Sequence, residues 1–409
     1  MIEADRGRDR VKNTIERERG WPRRSTWPLI AIASGASLAY PLWLALSSRG
    51  RREPEPPNTD EWPGLSVVVP AFRERQVIAA KVEDLARNGY PGVVEVVVVT
   101  EDPETAEAAR RTDARVLEAG SRVGKAEAVN RGVAAARQPI VVITDADTRL
   151  EPGSLVSLAR WFADPAVSAV AGEKRVDGRT EQAYWLFESW VKRMEALRGS
   201  TIGLVGELAA VRRSCFRRMP PDVIVDDLWI ALDAVEQGGD VRYEPQATTV
   251  ERENPTLRAT WERRTRTVAG LIDLLWRRRN LLVPGRSPVA VELWGHKLMR
   301  AVVGPLAHAA LIAQAIATLR RSRPAAIFVL GHVVAICALA RHAPTLPERL
   351  AAQVVFLQAT GIGGTVRYLR GDRPAAWPKP DRPADSVLTF RPQAKRAVQL
   401  DARARRRAS

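Results

Sequence analysis

The chain is 409 residues long, more than one ordinary domain, and carries 63 Lys plus Arg against 47 Asp plus Glu, a formal net charge of +16. No zinc-ligand spacing, RNA-binding aromatic motif or repeated basic helix accompanies that charge, which sets nucleic acid aside and leaves anionic lipid and phosphate-bearing substrates as its partners. Only Cys215 and Cys337 are present, which excludes a disulfide framework and a thiolate metal site, and His296, His308, His332 and His342 lack ligand spacing and read as packing residues.

Residues 1–26 form a charged arm with eight Lys or Arg. Residues 27–46 contain no charged side chain and, at about 1.5 Å per residue, reach about 30 Å, enough to cross a bilayer. The run is too long and starts too late for a signal peptide, and it lacks a clear cleavage site. Residues 47–63 mix Arg, Glu and Pro and read as a linker.

An α/β domain is expected over 64–255. Leu65, Ser66, Val67, Val68, Val69, Pro70, Ala71 and Phe72 read as a strand ended by proline. Residues 77–88 have helical spacing, and 93–100 form a second apolar strand closed by Glu101, Asp102 and Pro103. Strand, helix and strand is the order of a right-handed crossover unit. A third unit contains Gly124, Lys125, Ala126, Glu127, Ala128, Val129 and Asn130. It leads into Ile140, Val141, Val142, Ile143 and Thr144, an unbroken apolar run of the kind that buried parallel strands show. Asp145, Ala146 and Asp147 follow at its carboxyl end, where open α/β sheets place ligands and where a metal diphosphate would sit. An isolated acid pair in a loop is usually not a metal site, but here acids end two strands of one sheet. Further on, Asp226 and Asp227 open a helical run over 228–237, where adjacent acids also serve as plain helix caps.

Residues 256–300 are basic and punctuated by Trp261, Trp276 and Trp294. An apolar face of Val268, Leu271, Ile272 and Leu275 beside Arg263, Arg264, Arg266, Arg277, Arg278 and Arg279 suits a helix lying in the membrane interface; a basic helix packed on the domain is the alternative. Within a C-terminal membrane region over 301–366, the stretches 301–319, 324–340 and 351–366 are uncharged and read as further crossings or buried helices. That leaves three or four crossings. Residues 367–409 are a basic, proline-containing tail expected to be disordered.

Taken in order, these motifs resemble the family 2 glycosyltransferases over roughly residues 64–380. The resemblance rests on Val67 to Phe72, on Gly124, Lys125 and Ala126 with Asn130, on Asp145 and Asp147, and on Val225, Asp226, Asp227, Leu228 and Trp229. It continues through Tyr184 and Trp185 with Glu188, through Tyr243, Glu244, Pro245, Gln246 and Ala247, through Arg263, Arg264, Thr265 and Arg266, and through Gly295, His296, Lys297, Leu298, Met299 and Arg300. It implies the GT-A fold: α/β, Rossmann-like, a mixed and mostly parallel sheet with helices on both faces, plus one N-terminal and two or three C-terminal transmembrane helices.

The implied activity is inverting transfer of a sugar from a nucleotide-diphosphate sugar, a UDP-sugar being favoured, to a lipid-linked or polysaccharide acceptor in envelope glycan or exopolysaccharide synthesis. The resemblance assigns Asp147 as direct metal ligand and turns Asp145 toward the ribose or the metal through water; oxygen ligands and phosphate favour Mg²⁺ or Mn²⁺. Asp227 matches the catalytic base. Pro70, Ala71 and Phe72 would lie along the nucleobase with Glu74 close by. Family members usually have an aspartate after the second strand, whereas this chain has Glu101 then Asp102, so either can take that place. Lys125 and Arg122 are candidates for a phosphate or the sugar, without a Walker-type glycine run.

Processive members read Gln, two residues, Arg, Trp where this chain has Arg263, Arg264, Thr265, Arg266 and Thr267. Arg266 survives, so basic residues remain to clamp the leaving diphosphate while stacking on a polymer is lost. One-step transfer therefore stands beside processive synthesis. Nucleotide sugars are cytosolic, which puts the catalytic domain of a multi-pass membrane protein in the cytoplasm, although the basic arm and Arg320, Arg321 and Arg323 run against the positive-inside tendency. Membrane lipids are expected partners, since each cation near an anionic leaflet gains about 1 kcal/mol. The alternative reading is a catalytically inactive membrane scaffold that binds nucleotide or a partner. A nucleotidyltransferase would show a Gly-rich, basic signature after the first strand, where Ala71, Phe72, Arg73 and Glu74 stand instead.

Overall fold

The computed structural model of the chain describes Pro22 and residues 24–120, 122–177, 181–252, 256–340 and 345–373. Nearly all of the N-terminal arm, and the tail beyond 373, lie outside the described residues. Eight strands form one sheet in the order β3-β2-β1-β4-β7-β6-β8-β5. They are β1 (Leu65–Ala71), β2 (Val94–Thr100), β3 (Arg115–Glu118), β4 (Ile140–Ile143), β5 (Arg149–Leu150), β6 (Val167–Asp177), β7 (Ala209–Arg212) and β8 (Asp240–Arg252). β1, β2, β3 and β4 pair in parallel, as do β6 and β8, while β7 runs antiparallel to β4 and β6 and β5 antiparallel to β8. This is the mixed, mostly parallel sheet of the GT-A fold.

The unbroken Val/Ile runs follow from burial on both faces. Side chains alternate along a strand, so Val68, Val97, Val99, Val141 and Ile143 pack on one side with the Lys125–Ala135 and Asp226–Glu236 helices, whereas Val67, Val69, Val98, Ile140 and Val142 pack on the other with the Ile78–Ala86 and Ser154–Arg160 helices. Pro70 does not end β1, as the sequence suggested; it pairs with Val99 of β2 and the strand continues to Ala71. The register explains why proline is tolerated: β4 stops pairing at Val68, so no ladder on that side needs the missing N–H.

The Lys125–Ala135 helix approaches the sheet closely at Gly132, where a Cβ would run into Val68 Cγ1 and meet Val99 Cγ2 at 3.2 Å. Gly132→Ala should therefore lower stability by about 1–3 kcal/mol through overpacking. Denaturant melts of the full chain in detergent, compared with an alanine at the open position Gly35, check this.

The Thr26–Ser47 helix covers the uncharged N-terminal stretch. It and the Ala290–Thr318 helix are long and apolar enough to cross a membrane; the Arg323–Leu339 apolar helix is shorter. The Ala290–Thr318 helix continues across the expected boundary at 300 and is π-helical over Leu293–Val303. Of the apolar face expected to lie in the membrane interface, Val268 meets Gly364 of the Leu346–Leu369 helix, while Leu271 and Leu275 turn inward. On the Leu257–Arg277 helix, Leu271, Leu274 and Leu275 are buried in the same core as Leu228 and Trp229. Its arginines find acids: Arg277 pairs with Asp222 and Asp273, and Arg278 with Asp233 and Glu236. The stretch 351–366 lies within the Leu346–Leu369 helix, whose Gly363 and Gly364 sit against Trp261, Thr265 and Val268. Trp261, Trp276 and Trp294 remain partly exposed.

Candidate active site

A cleft of about 340 Å³ opens at the carboxyl ends of β1, β2 and β4. Of the residues singled out by sequence, Pro70, Ala71, Phe72, Glu101, Arg122, Lys125, Asp145, Asp147, Asp227, Arg263 and Arg266 all line it. Two do not. Asp102 caps the Pro103–Arg110 helix, its Oδ2 accepting from Thr105 N (3.2 Å) and Thr105 Oγ1 (2.5 Å). Glu74 is buried, its backbone N–H donating to Thr105 Oγ1 at 2.8 Å. Between the two acids after β2, it is thus Glu101 that reaches the cleft. Its Oε1 accepts from Val123 N (2.8 Å) and Gly124 N (2.9 Å), fixing the entry of the helix that begins with Lys125. Gly124 has φ of 81° there, a conformation that glycine adopts without strain.

Lys125 joins the two halves of the site. Its Nζ lies 2.8 Å from Asp145 Oδ1 and 3.8 Å from Asp226 Oδ2 and donates to Gly206 O at 3.2 Å. Burial works against its charge, but Asp145, Asp226 and Glu207 outweigh that effect and raise its pKa. Burial also pushes Asp145 up to about 7, opposed by Lys125 and helped by Glu207 and Asp147. Asp227 is pushed up to about 6 by burial and by Asp226, against its own Leu228 N–H, which Oδ1 accepts at 2.8 Å, and against Lys297 and Lys125. Phe72 forms an aromatic floor, with the Arg122 guanidinium 4.6 Å from its ring centre.

Gly206, Glu207, Asp226, Glu251 and Thr267 also line the cleft. The sequence reading gave no cleft role to the first two or to Glu251. Buried Lys174 pairs with both Glu207 and Glu251, and Lys174 and Lys125 hold Glu207 down at about 2 against the opposing effect of burial. Arg263 bonds Glu181 at 2.9 Å and Glu251 at 3.4 Å, and Arg264 bonds Glu181 at 2.8 Å. The arginine at the expected glutamine position is therefore anchored in an ion-pair network along the cleft wall.

Among the described residues no group of three or more His, Cys, Asp or Glu is arranged as a metal cage. Two adjacent strand-end carboxylates fit a hard cation whose other positions are taken by phosphate oxygens and water, the habit of Mg²⁺ and of Mn²⁺ in oxygen sites.

The family model described as Glycosyltransferase like family 2 matches residues 63–270. An N-acetylglucosaminyltransferase of Rhizobium sp. (strain N33) is 26% identical over 245 residues, covering 51% of this chain and 54% of that protein. The poly-beta-1,6-N-acetyl-D-glucosamine synthase of Staphylococcus aureus (strain COL) is 23% identical over 237 residues, covering 54% of this chain and 57% of that protein. The chain thus spans about half the length of these two relatives. Among solved structures, the mannosyltransferase PcManGT from Pyrobaculum calidifontis in complex with GDP-Man and Mn²⁺ aligns with a TM-score of 0.68 and 27% identity, covering 84% of this chain and 97% of that one.

Proposed function

This chain belongs to the family 2 glycosyltransferases, and we propose that it moves a hexosyl or N-acetylhexosaminyl group, with inversion, from a nucleotide-diphosphate sugar to a lipid-linked or glycan acceptor at the cytoplasmic face of the membrane. The observation that carries this reading is the single ammonium of Lys125, which bridges Asp145 beyond the end of β4 to Asp226, the first of the two acids that open the Asp226–Glu236 helix. Donor-side and acceptor-side chemistry thereby share one cleft. The Mn²⁺ and GDP-Man of PcManGT support a nucleotide-sugar donor and a divalent cation here, and the Rhizobium and Staphylococcus relatives support an N-acetylhexosamine.

In this mechanism Phe72 and Arg122 seat the nucleobase, with Pro70 and Ala71 along its edge. Asp147 and Asp145 would hold a divalent cation, which would supply neutralisation of the charge that grows on the diphosphate. Lys125, Arg263 and Arg266 face the same leaving group. Asp227, on the opposite side of the sugar, takes the proton of the attacking acceptor hydroxyl, so no covalent sugar-enzyme species is needed. Thr267 at the expected tryptophan position offers no stacking platform, which favours one-step transfer over processive growth.

The test is to incubate the purified full chain with Mn²⁺ or Mg²⁺ and a panel of UDP- and GDP-sugars plus membrane lipid extract, then separate lipid-soluble from polymeric product. Release of nucleoside diphosphate with sugar in either fraction supports the proposal. Nucleotide binding without release points to the inactive scaffold.

Only an ionised Asp227 accepts a proton, so kcat/KM should fall as pH drops through about 6. Asp226 is one of the charges that raises that pKa. In Asp226→Asn the acidic limb should accordingly move to lower pH, and a pH–rate profile of both proteins checks the sign.

A further inference from the structure

We infer that Lys81 is a positioning residue for the acidic turn over residues 144–148, holding Asp145 and Asp147 in place from behind the cleft; the inference rests on the proposed use of that turn. Lys81 is 0% exposed and lies on the Ile78–Ala86 helix among Ile78, Val82 and Leu85, an apolar face on which a lysine is out of place. Its ammonium has three protons, and the turn supplies three acceptors: Thr144 Oγ1 at 2.9 Å, Thr148 O at 2.8 Å and Thr148 Oγ1 at 3.3 Å. One group thus ties the residue before Asp145 to the residue after Asp147.

Two of the three acceptors, the hydroxyls, have a further bond that extends the clamp. Thr144 Oγ1 donates to Glu207 O at 2.8 Å, and Thr148 Oγ1 donates to Asp145 O at 3.0 Å. From the next turn of the same helix, Asp84 Oδ2 accepts Leu150 N at 2.9 Å, and Asn88 just beyond it bonds Glu151 O and Leu155 N. The whole exit from the acid pair into β5 is therefore gripped from one helix.

Among the described residues no carboxylate stands within ion-pair reach of Lys81. Burial lowers its pKa to about 8, with Asp84, Asp145 and Asp147 pulling the other way. A buried ammonium without a paired carboxylate is costly, and packing alone would be served better by leucine or methionine. What lysine supplies and those residues lack is three directed donors beneath two ligands that need fixed geometry.

The experiment titrates the full chain in detergent with Mn²⁺ alone and with Mn²⁺ plus excess UDP or GDP, reading free Mn²⁺ by its electron paramagnetic resonance signal. Lys81→Met is expected to weaken Mn²⁺ binding by about 10–100-fold, as loss of a ligand-orienting partner does, with circular dichroism unchanged. A folded Lys81→Met protein that binds Mn²⁺ within about twofold of wild type overturns the inference, even where its melting temperature falls. Should Lys81→Met not fold, Thr148→Val removes one acceptor and its bond to Asp145, and unchanged Mn²⁺ affinity there overturns the inference equally. If wild type itself binds no Mn²⁺ under any of these conditions, the reading of the cleft falls and this inference falls with it; wild-type binding matched by the variant sinks the inference alone.

Discussion

Asp227→Asn is expected to lower kcat by about 10²–10⁴-fold while the affinity for nucleotide sugar stays within about twofold. The side chain keeps its shape and can still occupy the first turn of the Asp226–Glu236 helix, but an amide cannot take a proton from an acceptor hydroxyl. Protein stability should not suffer. Burial and the adjacent Asp226 carboxylate both disfavour the charge of Asp227, so its neutral isostere relieves repulsion and the melting temperature should hold or rise. Turnover with a radiolabelled donor, set beside calorimetric titration with the nucleoside diphosphate, separates the two effects. Undiminished turnover would remove Asp227 from the role of base.

Asp147→Ala is expected to cost about 10³-fold or more in transfer, because loss of a metal's charge stabilisation is worth several kcal/mol. A chelator should stop the wild-type enzyme to a similar extent, and added Mn²⁺ or Mg²⁺ should restore it. In the variant the same addition should restore little. Asp145 cannot simply substitute, since one of its oxygens already meets the Lys125 ammonium at 2.8 Å. Mn²⁺ titrations of rate for both proteins give the result directly; full activity of Asp147→Ala at ordinary metal concentration would move the metal elsewhere.

The half of the sheet that carries the donor acids is written plainly in the sequence. β1, β2 and β4 are sandwiched between helices, so selection for burial on both faces leaves bare Val/Ile runs, and the acids at their ends stand out. β3 at the sheet edge is four residues with exposed Arg115 and Glu118, and β5 is only two residues; neither is long enough to show a period. Glu207 and Glu251 escaped notice because long-range pairing, through β7 and β8, brings them to the cleft. Glu74 does not line the cleft for a local reason: Arg73 has φ of 55°, and that turn brings the Glu74 backbone N–H to Thr105. The Leu257–Arg277 helix illustrates a different ambiguity. An apolar stripe flanked by arginines fits a lipid surface and an acidic protein surface equally, and the pattern does not reveal that Arg277 and Arg278 meet Asp222, Asp233 and Glu236. Lys81, by contrast, carried a visible signal, a charge on the buried face of an amphipathic helix.

The carboxylate of Glu195 receives Tyr40 Oη at 2.8 Å, His296 Nδ1 at 2.8 Å and Thr201 Oγ1 at 2.7 Å, so the first apolar helix, the π-helical segment and the α/β domain all meet at one fully buried acid. Trimming the gene to a fragment over 64–252 would strip this acid of two of its three side-chain partners and bare the apolar surface of Ile224, Leu228 and Trp229 on which the Leu257–Arg277 helix packs. Apolar helix and sheet domain are welded at that junction, and a workable preparation has to keep both.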